Sequence, residues 1–303
     1  MTTDKRGVDA VVHADIPEAV TSWVAELLGA VDNIQPLSGI AGPGAFRVHL
    51  TSGSVIVKGS QAAGERLFYE RYAPRVREAG VGIPGVYGTA GLEGRHWVVM
   101  EDIPSALPRS RWELFDDTIT QLARLHARGW NEPLADAVFS PLWDDAVTQA
   151  ALTWCGDAAI GDALVQAQHQ SAEIFQPYTW LSGDPNPTNW RVRSDGTLVL
   201  LDWERFCLGH PAIDLAILLP GANGFRRETA EQAARLWMAR SPRYAGSVEM
   251  LADAMQLAKL WSAVEFLAGA AREPERWPPG AAASLVDHLP MIVAQRQWRQ
   301  HSF

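Results

Sequence analysis

Asp184, Asn189 and Asp202 are the residues of this 303-residue chain whose types and spacing can do chemistry. They stand in Ser-Gly-Asp-Pro-Asn-Pro-Thr-Asn (182–189) and Leu-Val-Leu-Leu-Asp-Trp-Glu (198–204). A carboxylate, an amide oxygen five residues on and a second carboxylate thirteen further match the spacing that holds magnesium on nucleotide phosphates. Phosphoryl transfer needs that neutralisation, and it needs a group that accepts the hydroxyl proton and aims the attacking oxygen. Asp184 is the candidate base. Asn189 and Asp202 offer one neutral and one charged hard oxygen, the ligands magnesium takes into an octahedral shell completed by water and phosphate. Two prolines between Asp184 and Asn189 keep base and ligand in fixed relation.

Taken singly, each is an ordinary turn or cap residue, because Asp, Asn, Gly and Pro are what turns are made of. The joint spacing counts against coincidence, as do the apolar run into Asp202 and the following Gly-His-Pro-Ala-Ile-Asp-Leu-Ala from Gly209.

Lysine usage adds a nucleotide-facing candidate. The chain has three lysines, at 5, 58 and 259, against 23 arginines, and Lys58 ends the run Ser-Val-Ile-Val-Lys. A compact ammonium bridges two phosphates as a point charge, whereas the planar guanidinium prefers forked contacts. The plain alternative is a solvated strand end.

The elements that must position these residues divide near residue 101. In the first part, periodicity predicts a helix over 17–28, strands over 45–50 and 54–58 with a Thr-Ser-Gly-Ser turn, and a helix over 62–78. The last has Leu67, Phe68, Tyr72 and Val76 on one face, and strands over 85–89 and 96–100 follow it across Ala-Gly-Leu-Glu-Gly. Beyond Arg111 the pattern is helical, over 114–128, 158–175, 230–239, 248–271 and 285–300. One interruption, 179–203, is strand-like and turn-rich with Ser-Asp-Gly at 194–196, and it carries the candidate triad. Trp-Pro-Pro-Gly at 277–280 breaks the chain before the last helix.

Composition bounds the setting. The chain is 47% hydrophobic, enough for a large core in two lobes. The N-terminus lacks the apolar stretch of a signal peptide and no window approaches the roughly 20 apolar residues of a membrane span, so a cytoplasmic address and no membrane partner are expected. Cys155 and Cys207 form no CxxC or metal-ligand pattern and are expected as reduced thiols. Of the net charge of −9, residues 1–100 carry −1, leaving −8 for the remainder. Nucleic acid is therefore not expected as a partner, and an acidic second lobe would concentrate a cationic or amine-bearing ligand.

The run from Leu181 to Ala216 resembles the signature of the aminoglycoside phosphotransferase and choline kinase superfamily, whose members share the protein-kinase fold. The resemblance implies an α+β, bilobal protein-kinase-like architecture: a small antiparallel sheet plus helix in lobe 1–100, a hinge at 101–104, and a larger, mainly helical lobe at 105–303. Carried over, Asp184 is the base, Asn189 and Asp202 bind Mg2+, and Asp214 is a buried brace for the catalytic loop. Lys58 would pair with a glutamate of the following helix, Glu65 or, in another register, Glu70. Backbone groups of Glu101 and Ile103 would hold adenine, so ATP, with GTP as the other candidate, is the implied nucleotide. Leu-Ala-Arg-Leu-His-Ala-Arg-Gly-Trp (122–130) is similar to the family's Leu-x-x-Leu-His helix, with His126 a packed structural residue. Ser182 stands where the family has histidine; its hydroxyl would substitute by hydrogen bonding, or it marks a loop that has lost activity.

The Gly-rich segment from Ser38 to Ala45 lies where a phosphate-covering loop belongs, although it matches neither GxGxxG nor a Walker A loop. The acceptor falls to the second lobe, where Asp144, Asp145, Asp157, Trp261, Glu265 and Trp277 are the candidates, since aromatic faces with carboxylates suit amines. Trp261 and Glu265 are expected to point together into the acceptor site. A small hydroxylated acceptor is expected, an aminoglycoside or other amino sugar first, with choline-like amino alcohols, homoserine, macrolides and natural-product intermediates behind it. From a different class, a kinase-like protein that binds nucleotide or a partner without transfer keeps the same motifs. No GxSxG elbow occurs to support an esterase.

Overall fold

The computed structural model describes residues 16–37, 44–136, 139–221, 226–277 and 280–295. The N-terminal stretch 1–15 and residues 38–43 of the Gly-rich segment lie outside the described residues, as do 278–279 and 296–303.

The first lobe is one antiparallel sheet with a helix on each face. Strands β1 (Val31–Leu37), β2 (Ala45–Leu50), β3 (Gly53–Ser60), β4 (Val86–Leu92) and β5 (Arg95–Glu101) run in the order β1-β2-β3-β5-β4. Alternation in β2 and β3 buries Phe46, Val48, Val55 and Val57 with Trp97 and Val99 of β5 under Val20 and Val24 of helix α1 (Glu18–Leu28). The other face of β5, Val98 and Met100, packs on Phe68, Tyr72 and Val76. Burial on both faces explains why β5 reads as a continuous apolar run.

The helix expected over 62–78 is helical from 64 to 78 but not uniform. An α turn, α2 (Gly64–Leu67), passes through a π segment (Phe68–Tyr72) into α3 (Ala73–Glu78). Pro74 cannot donate and its ring opposes the carbonyl four residues back, so the wider π turn absorbs the misfit. The extra residue turns Tyr69 inward alongside Phe68 and Tyr72. Strand β1 was not expected: Asp32, Asn33 and Pro36 are poor strand formers, tolerated here because β1 is an edge.

The second lobe is helical around two small hairpin-like pairs. Its helices are α4 (Asp116–Gly129), α5 (Asp145–Leu152), α6 (Ala158–Gln170), α7 (Ala212–Leu218), α8 (Arg227–Met238), α9 (Val248–Arg272) and α10 (Ala281–Gln295). Strand β6 (Thr179–Leu181) pairs with β9 (Cys207–Gly209), and β7 (Trp190–Val192) pairs with β8 (Leu198–Leu200) across the Ser-Asp-Gly turn. Helix α7 went unexpected because all seven of its residues are buried and it shows no amphipathic period. Trp180, Trp190, Trp203, Trp237 and Trp261 are fully buried and form much of this lobe's core. Both cysteines are free thiols.

Candidate active site

The site forms where β3, the 64–78 helix, the loop after β6 and the segment after β8 converge. Lys58, on β3 opposite Val98, extends its ammonium to 2.8 Å from Glu65 Oε2, 2.7 Å from Asp202 Oδ1 and 3.8 Å from Glu204 Oε2. Burial disfavours its charge, but the three carboxylates outweigh that, Glu65 most, and hold the ammonium well above the ordinary lysine range. Glu65 is buried, and burial pushes its carboxyl up against the pull of Lys58. Glu70 turns to the surface and pairs with Arg66 at 2.7 Å and Thr89 at 2.7 Å, so Glu65 is the glutamate beside Lys58.

The loop from Ser182 to Asn189 is shaped by its own bonds. Gly183 has φ +80°, and a Cβ there would lie 2.1 Å from the carbonyl oxygen of Arg205. Asp214 of α7, fully buried, accepts from Ser182 N at 2.8 Å, Gly183 N at 2.9 Å and His126 Nε2 at 3.1 Å. Asn186 caps the turn at 187–189 by accepting from Thr188 N, and Trp190 Nε1 donates to Pro185 O at 3.1 Å.

Asn189 ties Asp184 to the segment that leads into Asp202. Its Nδ2 donates to Asp184 O at 2.9 Å and to Asp184 Oδ2 at 3.0 Å, while its carbonyl accepts from Leu201 N, the neighbour of Asp202, at 2.9 Å. Asp202 itself sits at φ +62°, a left-handed conformation that costs a non-glycine residue energy and that surrounding bonds must hold. Burial, and then the charge of Asp202, push the Asp184 carboxyl up to about 6, with Arg205 and Asn189 opposing.

Two oxygen sets are candidates for a cation. Carboxylate oxygens of Glu65, Asp202 and Glu204 lie within 4.8 Å of one another, but the Lys58 ammonium stands among them and is their counter-ion. Asn189 and Asp202 fit magnesium better. The amide nitrogen of Asn189 is committed to Asp184, which leaves its oxygen as the outward acceptor, and Lys58 engages one oxygen of Asp202. Both are the hard oxygens that ion takes.

Between the lobes, two adjacent carboxylates are tied in opposite directions. Glu101 accepts from Arg193 Nε at 2.7 Å and Nη2 at 2.6 Å in the second lobe, and Asp102 accepts from Arg47 Nε at 2.6 Å and Ser54 Oγ at 2.7 Å in the first. The Arg193 bond is the main reason the Glu101 carboxyl lies below its usual range. Glu101 N is spent on Gly85 O at 2.8 Å and is not free for a base. The Ile103 side chain is buried, and its amide has no partner among the described residues.

The acceptor candidates need correction. Asp144 and Asp157 are helix N-caps, accepting from Val147 N and Ala159 N at 2.8 Å each, and Asp145 accepts from Gln168 Nε2 at 2.7 Å. Each therefore has a structural partner in its own part of the lobe, an orphan amide for Asp144 and Asp157 and a neighbouring side chain for Asp145. Trp261 is fully buried, donates to Leu142 O at 2.9 Å and packs edge-on against Phe175, so it backs the site instead of lining it. Trp277 packs on Phe266 with ring centroids 4.4 Å apart, at the far end of α9. Glu265 remains near the reacting centre, paired at 2.6 Å with Arg205.

Arg205 is the residue that sequence reasoning missed. One residue beyond Asp-Trp-Glu, its guanidinium lies 4.3 Å over the Phe139 ring and opposes the rise of the Asp184 carboxyl. Glu204, inside that motif, was given no role. The Ser182 hydroxyl is buried without a hydrogen-bond partner among the described residues, so it does not replace a ring by hydrogen bonding.

Residues 33–252 match the model of the phosphotransferase enzyme family. No curated protein sequence matches the chain. Among solved structures, the fold is similar to that of the choline kinase LicA from Streptococcus pneumoniae, at 17% identity and TM-score 0.65 over 91% of this chain and 98% of that one. It is also similar to spectinomycin phosphotransferase bound to AMP, at 11% identity and TM-score 0.63 over 93% and 98%. A third similar structure is an aminoglycoside phosphotransferase in ternary complex with ADP and hygromycin B, at 17% identity and TM-score 0.60 over 91% and 98%.

Proposed function

The chain belongs to the phosphotransferase enzyme family, and from that premise we propose that it is a magnesium-dependent kinase that moves the γ-phosphoryl group of ATP to a hydroxyl of a small molecule. The observation that carries this reading is that Asn189 binds Asp184 through its side chain and, through its backbone carbonyl, Leu201, the residue before Asp202. The nucleotides held by similar structures support the same donor.

In this reading Asp184 accepts the hydroxyl proton as the acceptor oxygen bonds to the γ-phosphorus and the bond to the β-γ bridging oxygen breaks. A carboxyl near 6 is ionised at neutral pH yet basic enough to take that proton. Lys58 meets the phosphates as a point charge, and its pair with Glu65 keeps it aimed. Magnesium, held by Asn189 and Asp202, would neutralise phosphate charge. The Glu101 carbonyl and Ile103 amide present complementary groups to adenine, and Asp214 fixes the loop.

The acceptor class rests on charge. Residues 101–303 carry −8, which favours an amine-bearing acceptor of the aminoglycoside kind. Among the described residues no helix is long and apolar enough to cross a membrane, and the cytoplasm is the proposed site of action. A second reading, nucleotide binding without transfer, draws on the unpaired hydroxyl of Ser182 in the catalytic loop.

Measuring ATP consumption with magnesium across a panel of amino sugars, amino alcohols, macrolides and other hydroxylated metabolites tests the proposal. Turnover in wild type that vanishes in Asp184→Asn supports transfer. Identical behaviour of the two with every acceptor favours the second reading.

A further inference from the structure

The buried carboxylate of Asp214 has three donors, and the third of them is set by a residue on another helix. Helix α8 turns Ala230, Ala233, Ala234 and Trp237 to the core. Three small side chains let the helix approach closely, and the one large side chain fills the remaining space. Trp237 is fully buried, edge-on to Tyr244 at 5.6 Å and tilted against the His126 ring at 5.7 Å.

Its indole nitrogen stands 3.0 Å from His126 Nδ1. An indole N–H donates and cannot accept, so Nδ1 must offer its lone pair. The ring hydrogen is then on Nε2, 3.1 Å from Asp214 Oδ2, where it donates. The other tautomer would set N–H against N–H at Trp237 and a lone pair against the carboxylate. The doubly protonated ring would meet the first of these conflicts as well.

We infer that Trp237 is a positioning residue for the catalytic loop: its donor keeps His126 Nδ1 a bare acceptor and holds in place the ring whose Nε2–H donates to Asp214, which holds the amides of Ser182 and Gly183 beside Asp184. The loop depends on that carboxylate because the Ser182 side chain contributes no hydrogen bond among the described residues. The inference deepens the kinase reading and rests on it for its purpose, but its geometry is readable without turnover.

The experiment is long-range proton–nitrogen correlation NMR on histidine-labelled protein at neutral pH, with amide exchange followed at Ser182 and Gly183. Wild-type His126 is expected as the Nε2–H form. Trp237→Phe keeps an aromatic ring at the site, removes the donor and leaves a small cavity, so the hydrogen on Nδ1 is the readout specific to the lost bond. The variant should let a hydrogen appear on Nδ1 while Asp214 keeps the one on Nε2, and speed exchange at both amides by about tenfold or more, because the ring that donates to Asp214 is no longer held from behind. Tyr244→Phe, in the same cluster but without a bond to His126, should leave both readouts at wild-type values. An Nδ1–H or doubly protonated His126 in wild type overturns the inference, as does an unchanged tautomer and exchange rate in Trp237→Phe. Should that variant fail to fold, the wild-type spectrum decides. Absence of kinase turnover in every acceptor assay would remove the catalytic purpose while leaving these readouts intact.

Discussion

Phe68 lies flat on Trp203, with ring centroids 4.1 Å apart and planes within 2° of parallel. Phe68 is one helical turn beyond Glu65, and Trp203 follows Asp202 directly. Trp203 N also reaches Glu65 Oε1 at 3.4 Å. One stack thus joins the helix that aims Lys58 to the segment that carries the candidate metal ligand.

Phe68→Leu keeps the bulk and loses the stack, which should cost about 1 kcal/mol, whereas Phe68→Ala should cost about 3–5 kcal/mol by opening a cavity. Urea denaturation reads both. In the leucine variant the KM for ATP should also rise, because Glu65 is held less firmly beside Lys58; an unchanged KM would assign the stack to folding alone.

Asp184→Asn keeps the hydrogen bonds to Asn189 within reach but cannot take a proton. Turnover should fall by roughly 10²–10⁴-fold, the range for a general base, while calorimetry finds nucleotide affinity preserved. Loss of affinity in parallel with turnover would place Asp184 in nucleotide binding instead.

The raised Asp184 carboxyl has two opposite consequences for pH. Activity should climb as pH rises through about 6, where the base ionises. Stability should do the reverse: with a folded value near 6 against an ordinary 3.8, the native state binds the extra proton in that window, so native stability falls as pH rises through it. The loss is about 3 kcal/mol. Asp184→Asn should therefore be the more stable protein above that window and lose its advantage below it, which thermal melts across pH will reveal.

Removing magnesium with a chelator should end turnover. Asn189→Ala and Asp202→Asn should each raise the magnesium concentration needed for half-maximal rate by more than the roughly 10–100-fold typical of losing an outer-shell partner. A magnesium titration with no shift in either variant would move the metal elsewhere.

Ser182→Ala removes a buried hydroxyl that has no partner among the described residues. It should be neutral or stabilise by up to about 1 kcal/mol, since an unmade hydrogen bond carries a desolvation cost. Gly183→Ala, by contrast, forces a left-handed alanine with its Cβ 2.1 Å from Arg205 O, and should destabilise by several times that amount and abolish turnover. Equal melting temperatures for the two variants would contradict the loop geometry.

What sequence could express was local. Alternation in 45–50 and 54–58 gave β2 and β3, helical period gave α4, α8 and α9, and residue type with spacing gave the Asp184, Asn189 and Asp202 set. Helix α7 and strand β1 carried no such period, one being wholly buried and the other a polar edge. Asp144 and Asp157 looked like an acidic ligand wall, yet an Asp immediately before a helical run is a cap signal, and that signal was the one to follow. Arg205 was out of reach because its partner Glu265 is 60 residues away along the chain, and only folding brings the two together. Trp261 carried hydrophobic character that served burial rather than contact.

The meeting of Gly183 with Arg205 leaves no room for a methyl group between the base-bearing loop and the segment after Asp202. The two therefore cannot slide past each other, and they behave as the fixed jaws of a gauge. In the proposed reaction an acceptor would have to present its hydroxyl at the spacing these jaws set, and the helical lobe behind them would accommodate the differences between one acceptor and another.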